Sequence, residues 1–198
     1  MSSTMKITHT SFFGLTVVYL LTVALSCSSN YESLVKNELD KNKKVDSLFF
    51  NFRLGESKDM YHKKSWHLNN SRKVVQGRSY FYMKKIFSDS KEENKSNDFG
   101  LEFTGKFNAD KKLNLLDAKF YHILWAPWNE AYQAPKLLPR ILDSLELWFP
   151  GNPFLEIKTG NDSIPKMHVK IDGDRRFRVF VENSQDVAVK IDDLNEEN

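Results

Sequence analysis

The clearest hydrophobic pattern of the chain lies in its C-terminal third. Four segments there read as β-strands, because apolar and polar residues alternate as successive side chains of a strand do: 154–159, 166–171, 175–182 and 186–191. Asp172-Gly173 follows the second segment, where a tight hairpin turn requires a positive φ. The pattern therefore predicts an antiparallel meander of four strands.

Alternation also assigns the side chains of this meander to two faces. The predicted inner face is apolar: Met167, Val169, Ile171, Phe177, Val179, Val181, Val187, Val189 and Ile191. The predicted outer face is basic: Lys170, Arg176, Arg178 and Lys190. This basic face is a candidate surface for an acidic partner or for lipid head groups. The alternative is an ordinary solvated face, which needs no ligand.

The preceding part of the chain predicts a second group of elements. Strands are expected at 47–55, 78–87, 99–107 and 113–125, with a solvated loop over 88–98. A helix over 56–73 is expected to start at the cap residue Ser57. A second helix starts near Ala134, carries Leu137, Ile141 and Leu145 at helical spacing, and ends at Pro150-Gly151. Pro139 either begins this helix or kinks it.

The order of these elements predicts an α+β fold. It is strand, helix, three strands, helix and four strands. Short or polar connections between consecutive strands favour antiparallel pairing, so we expect an antiparallel sheet with two helices packed on one face and the other face solvated. Two helix-plus-meander units in tandem are an alternative description of the same order.

The N-terminus predicts export and a lipid anchor. Lys6 precedes fifteen uncharged residues, 11–25, which is short of the roughly 20 that span a bilayer and is typical of a secretory signal. Ser26-Cys27 follows and resembles the lipobox of bacterial lipoproteins, although Ala24 occupies the position that is typically leucine. The resemblance implies cleavage before Cys27 and a diacylglycerol on its thiol. An uncleaved anchor helix and a free thiol are the alternatives.

This N-terminus divides the chain into three parts. Residues 1–26 are the predicted signal peptide, 27–44 a polar tether in which a helical turn or two can form, and 45–198 a single α+β domain. Cys27 is the only cysteine, so no disulfide can form within the chain, and an acylated thiol is inert in an oxidising compartment. The net charge is +3, or +2 without Lys6, and it favours neither nucleic acid nor an acidic surface as partner.

The sequence contains few signs of catalysis. No glycine-rich phosphate loop and no nucleophile elbow occur, and Cys27 is assigned to the lipid. His62 and His67 are about 140° apart around a helix and do not share a ligand. Asp172, Asp174, Asp192 and Asp193 favour turns over a calcium site. We therefore predict no enzyme, cofactor or metal, while a serine triad assembled by the fold stays open.

The most unusual segment is WAPWNEAY, residues 125–132, between a strand and a helix. Trp125, Trp128 and Tyr132 are candidates for stacking on a sugar or on an aromatic side chain of a peptide, with hydrogen bonds from Asn129 and Glu130. The alternative is structural. In it the aromatic rings fix the strand-to-helix corner and Asn129 or Glu130 caps it, as buried tryptophans often do.

Four segments together resemble a group of uncharacterised envelope lipoproteins of Gram-negative bacteria: FRLGESKDMYHKKSWHLNN, FYHILWAPWNEAY, LWFPGNPFLEI and IDGDRRFRVFVEN. The resemblance covers most of the mature chain and implies no activity. More loosely, LGESKDMYHKKSW is similar to the small outer-membrane-assembly lipoproteins and to β-lactamase-inhibitor-like folds. Those families stack helices on an antiparallel sheet and bind other proteins. The resemblance to lipoproteins also implies a location: in enteric lipoproteins a residue other than Asp after the cysteine favours the outer membrane, and Ser28 fits that pattern.

These observations predict a lipid-anchored envelope protein that binds or scaffolds another envelope protein without catalysis. A glycan-binding lipoprotein that uses the corner 125–132 is the alternative.

Overall fold

A computed structural model describes residues 29–79, 81–88, 98–157 and 166–197. The predicted signal peptide and the lipid attachment residue Cys27 lie outside the described residues. Within them, no helix has the length and apolar character that a bilayer span requires.

The described residues contain three α-helices, which we number α1 (Ser29–Asp40), α2 (Lys58–Asn70) and α3 (Ala134–Trp148). The strands are β1 (Val75–Gln76), β2 (Met83–Phe87), β3 (Phe99–Phe107), β4 (Leu113–His122), β5 (Leu155–Ile157), β6 (Met167–Asp172), β7 (Arg175–Val181) and β8 (Val187–Asp193). Short 3₁₀ helices lie at Phe49–Asn51, Glu130–Tyr132 and Leu194–Glu197.

The strands form one antiparallel sheet in the order β1-β2-β3-β4-β8-β7-β6-β5. Each half is a four-stranded meander preceded by a helix, and the halves meet where β4 pairs with β8. The predicted α+β fold is therefore confirmed, and so is its description as two helix-plus-meander units.

Two faces and two ends of the sheet are used below. The front face carries Leu116, Phe120, Phe177 and Val189, and the back face carries Tyr121, Arg176 and Lys190. The turn end holds the connections 77–82, 108–112 and 173–174. The corner end holds the segments 123–133 and 182–186. About 30 Å, the length of a nine-residue strand such as β3, separates the two ends.

Helices α2 and α3 pack on the front face, as predicted. Leu137, Ile141 and Leu145 of α3 are fully buried against β4, β7 and β8. Helix α2 begins at Ser57, whose hydroxyl accepts a hydrogen bond from the backbone N–H of Met60 at 3.3 Å. Pro139 lies inside α3, which starts at Ala134 rather than at the proline.

The strand predicted over 47–55 is wrong. The chain makes a tight turn through the 3₁₀ helix Phe49–Asn51, closed by a bridge between Ser47 and Arg53. Phe50 and Asn51 have φ values of 54° and 63°. The turn lets Phe49 and Phe52 both reach the front-face core, whereas alternation along a strand would direct them to opposite faces. The strand was therefore predicted only from the high content of apolar residues in this segment.

The predicted division of the last meander into faces is partly wrong, because Lys170 does not lie beside Arg176, Arg178 and Lys190. Lys170 pairs directly with Phe177 and is on the front face, so Met167, Val169 and Ile171 are on the back. The cause is the turn. Gly173 and Asp174 form a two-residue loop between the paired residues Asp172 and Arg175, so even positions of β6 match odd positions of β7.

The polar segment predicted as a tether contains the helix α1, which packs on the back face. Tyr31, Leu34, Val35 and Leu39 cover Val169, Ile171 and Leu194. The Tyr31 hydroxyl accepts a hydrogen bond from Arg176 Nη1 at 2.9 Å. The Glu38 carboxylate accepts from the Gly173 N–H at 3.1 Å and from Asn152 Nδ2 at 2.8 Å. Helix α1 is therefore a docked part of the fold.

We expect the docking of α1 to weaken in acid. Burial alone raises the pKa of Glu38, but hydrogen bonds from Lys41, the Gly173 N–H and Asn152 outweigh burial and hold this pKa below its usual 4.5. The stabilisation is therefore complete above the unfolded pKa and is lost as pH falls through the lower folded pKa. Denaturant unfolding should show Glu38→Gln about 1 kcal/mol less stable than wild type at pH 7. The two proteins should converge in acid, and a pH-independent difference would contradict this.

Candidate functional site

The candidate site is a groove on the front face at the turn end of the sheet. Helix α2 crosses this end and leaves a cavity of about 730 Å³ between itself and strands β1 to β3. Its apolar lining comes from α2, from β2 with the two residues before it, and from β3: Tyr61, Trp66, Phe81, Tyr82, Met83 and Phe107. Cavities of this size and composition are typical of binding sites.

The floor of the groove is rigid because Tyr61 is fixed against β3. Its hydroxyl accepts a hydrogen bond from the Gly105 N–H at 2.8 Å. A Cβ on Gly105 would lie 2.6 Å from Leu113 Cδ1 and 2.8 Å from Tyr61 Cε2, so only glycine permits this contact. Burial raises the pKa of Tyr61 to about 12, and the phenol therefore stays neutral at physiological pH.

Two large apolar side chains stand exposed on the rims of the groove. Trp66 of α2 is 63% exposed, and Phe81, which precedes β2, is 75% exposed. Both line the cavity, Trp66 from the helix and Phe81 from the connection between β1 and β2. Exposed apolar surface around a concave site is a mark of interaction surfaces.

The polar lining of the groove is neutral or basic. It consists of Lys58, His62, Ser65, Asn69, Gln76 and Thr104. None of the described lining residues is a carboxylate. The Lys58 ammonium lies 5.9 Å from the centre of the Phe107 ring, at the end of the groove where α2 begins. The groove therefore offers donors and a positive charge beside its aromatic walls.

The structure divides the predicted corner site into two groups. Trp125 is half-buried and its Nε1–H donates to the Ser184 carbonyl at 3.2 Å. Asn129 Oδ1 accepts from the Ala131 N–H at 3.1 Å and caps the 3₁₀ helix. Tyr132 packs edge-on against His122, with ring centres 5.4 Å apart. These three residues fix the corner.

The other two corner residues point to solvent. Trp128 is 85% exposed, and Glu130 is exposed beside it. The corner thus holds one accessible tryptophan instead of the predicted pair. The sugar-stacking hypothesis stays a prediction, with Trp128 as its only exposed ring in the segment.

The predicted basic face is divided between the two faces of the sheet, and two of its cations share one carboxylate. Arg176 and Arg178 both bind the Asp192 carboxylate, at 2.5 and 2.8 Å. Lys190 lies over the Phe180 ring at 5.9 Å on the same back face. Lys170 is buried on the front face, where its ammonium binds the Asn152 carbonyl and, at 3.1 Å, Asp172. The four cations therefore do not form one surface.

The aspartates near the last hairpin are separated in the same way. Asp172 lies on the front face with Lys170 and Arg175, and Asp192 lies on the back face with Arg176 and Arg178. Across the described ranges, no three His, Cys, Asp or Glu side chains converge as a metal ligand set.

Sequence reasoning missed the groove. The apolar stripe of α2, formed by Met60, Tyr61, Trp66 and Leu68, is weak, and of these side chains the structure buries Tyr61 and exposes Met60 and Trp66. The weakness of that stripe was the available signal, because a helix with few buried positions leaves its large apolar side chains exposed. No family model, curated protein or solved structure matches the chain. The geometry therefore carries the functional argument.

Proposed function

We propose that this protein is a non-enzymatic binding module of the bacterial envelope, anchored by a lipid on Cys27, that holds a segment of another protein in the groove. The observation that carries this proposal is the exposure of Trp66 and Phe81 on the rims of one cavity. The anchor itself rests on the sequence pattern around Cys27.

Aromatic side chains in such positions favour protein binding energetically. Covering an exposed large apolar side chain contributes about 1.5–3 kcal/mol. Tryptophan and tyrosine are also the residues that most often dominate binding at protein interfaces, especially in pockets that exclude water. The groove provides such a pocket, since its floor is fixed by Tyr61 and Gly105.

The lining favours a particular kind of segment. Apolar side chains of the partner would lie between Trp66 and Phe81, and its backbone would meet the amides of Asn69 and Gln76. Lys58 and the absence of carboxylates among the described lining residues favour a segment that also carries an acidic residue. We therefore propose an apolar, acidic peptide segment as the occupant.

Site-specific photo-crosslinking in intact cells tests this proposal. A photoreactive amino acid at position 66 should capture a defined envelope protein, identified by mass spectrometry through a crosslinked apolar, acidic segment. The same amino acid at Leu147, which is 80% exposed on α3, is the matched control and should not capture it. Equal capture at both positions, or crosslinks to lipid alone, would refute the proposal.

Substitutions on the rims should then weaken binding of the captured segment. We expect Trp66→Ala and Phe81→Ala each to raise its Kd about 10- to 100-fold, because each removes an aromatic contact from the groove. Leu147→Ala should leave the Kd unchanged. Fluorescence anisotropy with a labelled synthetic copy of the segment measures all three. A Kd unaffected by both rim substitutions would place the binding surface elsewhere.

A further inference from the structure

We infer that the corner end of the sheet faces the bilayer and that Trp128, with Leu124, makes a second contact with the membrane interface. This inference rests on the proposed lipid anchor and adds an orientation to it. It also assigns a role to Trp128, which is not part of the groove.

The first observation is the direction in which helix α1 runs across the sheet. Its C-terminal part meets the turn end, where Glu38 binds the Gly173 N–H. Two turns earlier, Tyr31 binds Arg176, which lies three residues farther from the turn along β7. The helix axis therefore leads away from the turn end. At 1.5 Å per residue, Ser29 is about 14 Å from Glu38 towards the corner end.

The position of the anchor follows from this direction. Cys27 is two residues before the start of α1, so at most about 7 Å of extended chain joins the acylated residue to the helix. Helix α1 is docked through its apolar residues and through two buried polar groups of the sheet, Arg176 and Gly173. Helix α1 covers about 14 Å of the roughly 30 Å between the two ends, and the chain before it extends the reach of the anchor to about 21 Å, so a lipid on Cys27 reaches the corner half of the sheet.

The corner itself has the side chains that an interface accepts. Trp128 is 85% exposed and Leu124 is 42% exposed. The loop that presents them is fixed by the bond from Trp125 to Ser184 and by the bond from Gln133 Nε2 to the Pro127 carbonyl at 3.2 Å. Tryptophan is enriched at the level of lipid head groups, because its ring is apolar and its N–H stays hydrated.

A membrane explains this surface better than a sugar does. Small-ligand sites are typically concave and place a few polar groups around one ligand. Here Trp128 projects from a loop, while Trp125 and Asn129 are engaged in bonds within the corner. The groove lies at the opposite end of the sheet, about 30 Å away, where the anchored body leaves it open to a partner.

Single-cysteine labelling tests the orientation on the acylated full-length mature protein. Acylation consumes the only native thiol, so Trp128→Cys, Leu147→Cys and Phe81→Cys each introduce one labelling site. The three positions are 85%, 80% and 75% exposed and are therefore matched in accessibility. Each carries an environment-sensitive fluorophore after reconstitution into vesicles of phosphatidylethanolamine and phosphatidylglycerol.

We expect the label at 128 to shift to the blue and to be quenched by nitroxide lipids several-fold more strongly than the labels at 147 and 81. Equal quenching at all three positions, or stronger quenching at 81 or 147, would overturn the orientation while the anchor stands. A label at 128 that responds to added envelope glycan or to a soluble protein instead of lipid would also overturn it. Failure of the acylated protein to float with the vesicles would refute the anchor and the inference together.

Discussion

Asp172→Ala should lower the free energy of unfolding by about 3–5 kcal/mol, the cost of leaving buried charges without their partner. Asp172 Oδ1 accepts from Lys170 Nζ at 3.2 Å and from the Asn152 N–H at 2.8 Å, and Oδ2 accepts from Arg175 Nη2 at 3.1 Å. The Lys170 and Arg175 side chains are only 1% and 3% exposed. Without the carboxylate, two cations would face each other in the front-face core.

Other contacts of Arg175 hold its guanidinium in place, so it cannot turn to solvent or to another acid when Asp172 is removed. Its guanidinium also donates to the Ser47 carbonyl at 2.7 Å and lies over the rings of Phe149 and Phe177. These contacts join the segment before α2, the end of α3 and β7. Burial lowers the pKa of Arg175 and the Asp172 carboxylate opposes that shift, so removing the carboxylate increases the cost of the charge.

Denaturant unfolding of purified protein measures this effect. Glu156→Ala is the matched control, because Glu156 pairs with Lys166 at 3.4 Å in a pair whose side chains are 37% and 72% exposed, and its loss should cost less than about 1 kcal/mol. Asp172→Asn, which keeps the shape and removes the charge, should lie between the two. A loss of stability no larger in Asp172→Ala than in Glu156→Ala would contradict the buried-charge argument.

Phe103→Ala should cost about 3–5 kcal/mol by opening a cavity beneath α2. Phe103 of β3 is fully buried. Its ring stacks on Phe50 at 5.3 Å and meets Phe52 edge-on at 6.0 Å. Phe50 has a positive φ of 54°, an uncommon conformation for a bulky residue, and the stack on Phe103 helps to hold it. The substitution therefore removes packing and also weakens support for the 49–51 turn.

The same substitution at an exposed phenylalanine provides the control. Phe81 is 75% exposed, so Phe81→Ala should change the free energy of unfolding by less than about 0.5 kcal/mol. Thermal and denaturant unfolding of both variants compare the two sites. If Phe81→Ala proved the more destabilising, Phe81 would be a core residue, and the groove would lose one of its rims.

The elements that were predicted well depend on local signals. Strands β7 and β8 alternate strictly, and α3 repeats leucine and isoleucine at helical spacing, so each could be assigned without its neighbours. Ser57 marked the start of α2 correctly. The strand prediction over 47–55 failed because a tight turn that contains two phenylalanines has the same apolar composition as a strand.

The faces of the sheet and the site depend on pairing between distant residues. The two-residue turn between β6 and β7 pairs even-numbered residues of β6 with odd-numbered residues of β7. This pairing places Lys170 on the front face, away from the basic residues of β7 and β8. The segment of α1 is polar enough to be read as a tether. It is nevertheless a docked helix, because its few apolar side chains pack on Val169 and Ile171 of the back face. The groove required α2 to cross β3, which no local pattern encodes.

The sequence alone was enough for the α+β class, for the two helices α2 and α3, for most of the strands and for the position of the only cysteine, because periodicity and composition are properties of neighbouring residues. Only the tertiary structure decided which cations are buried, which tryptophans are exposed and where a cavity remains. Those outcomes depend on strand register and on helix placement, and both are fixed by contacts between residues far apart in the chain.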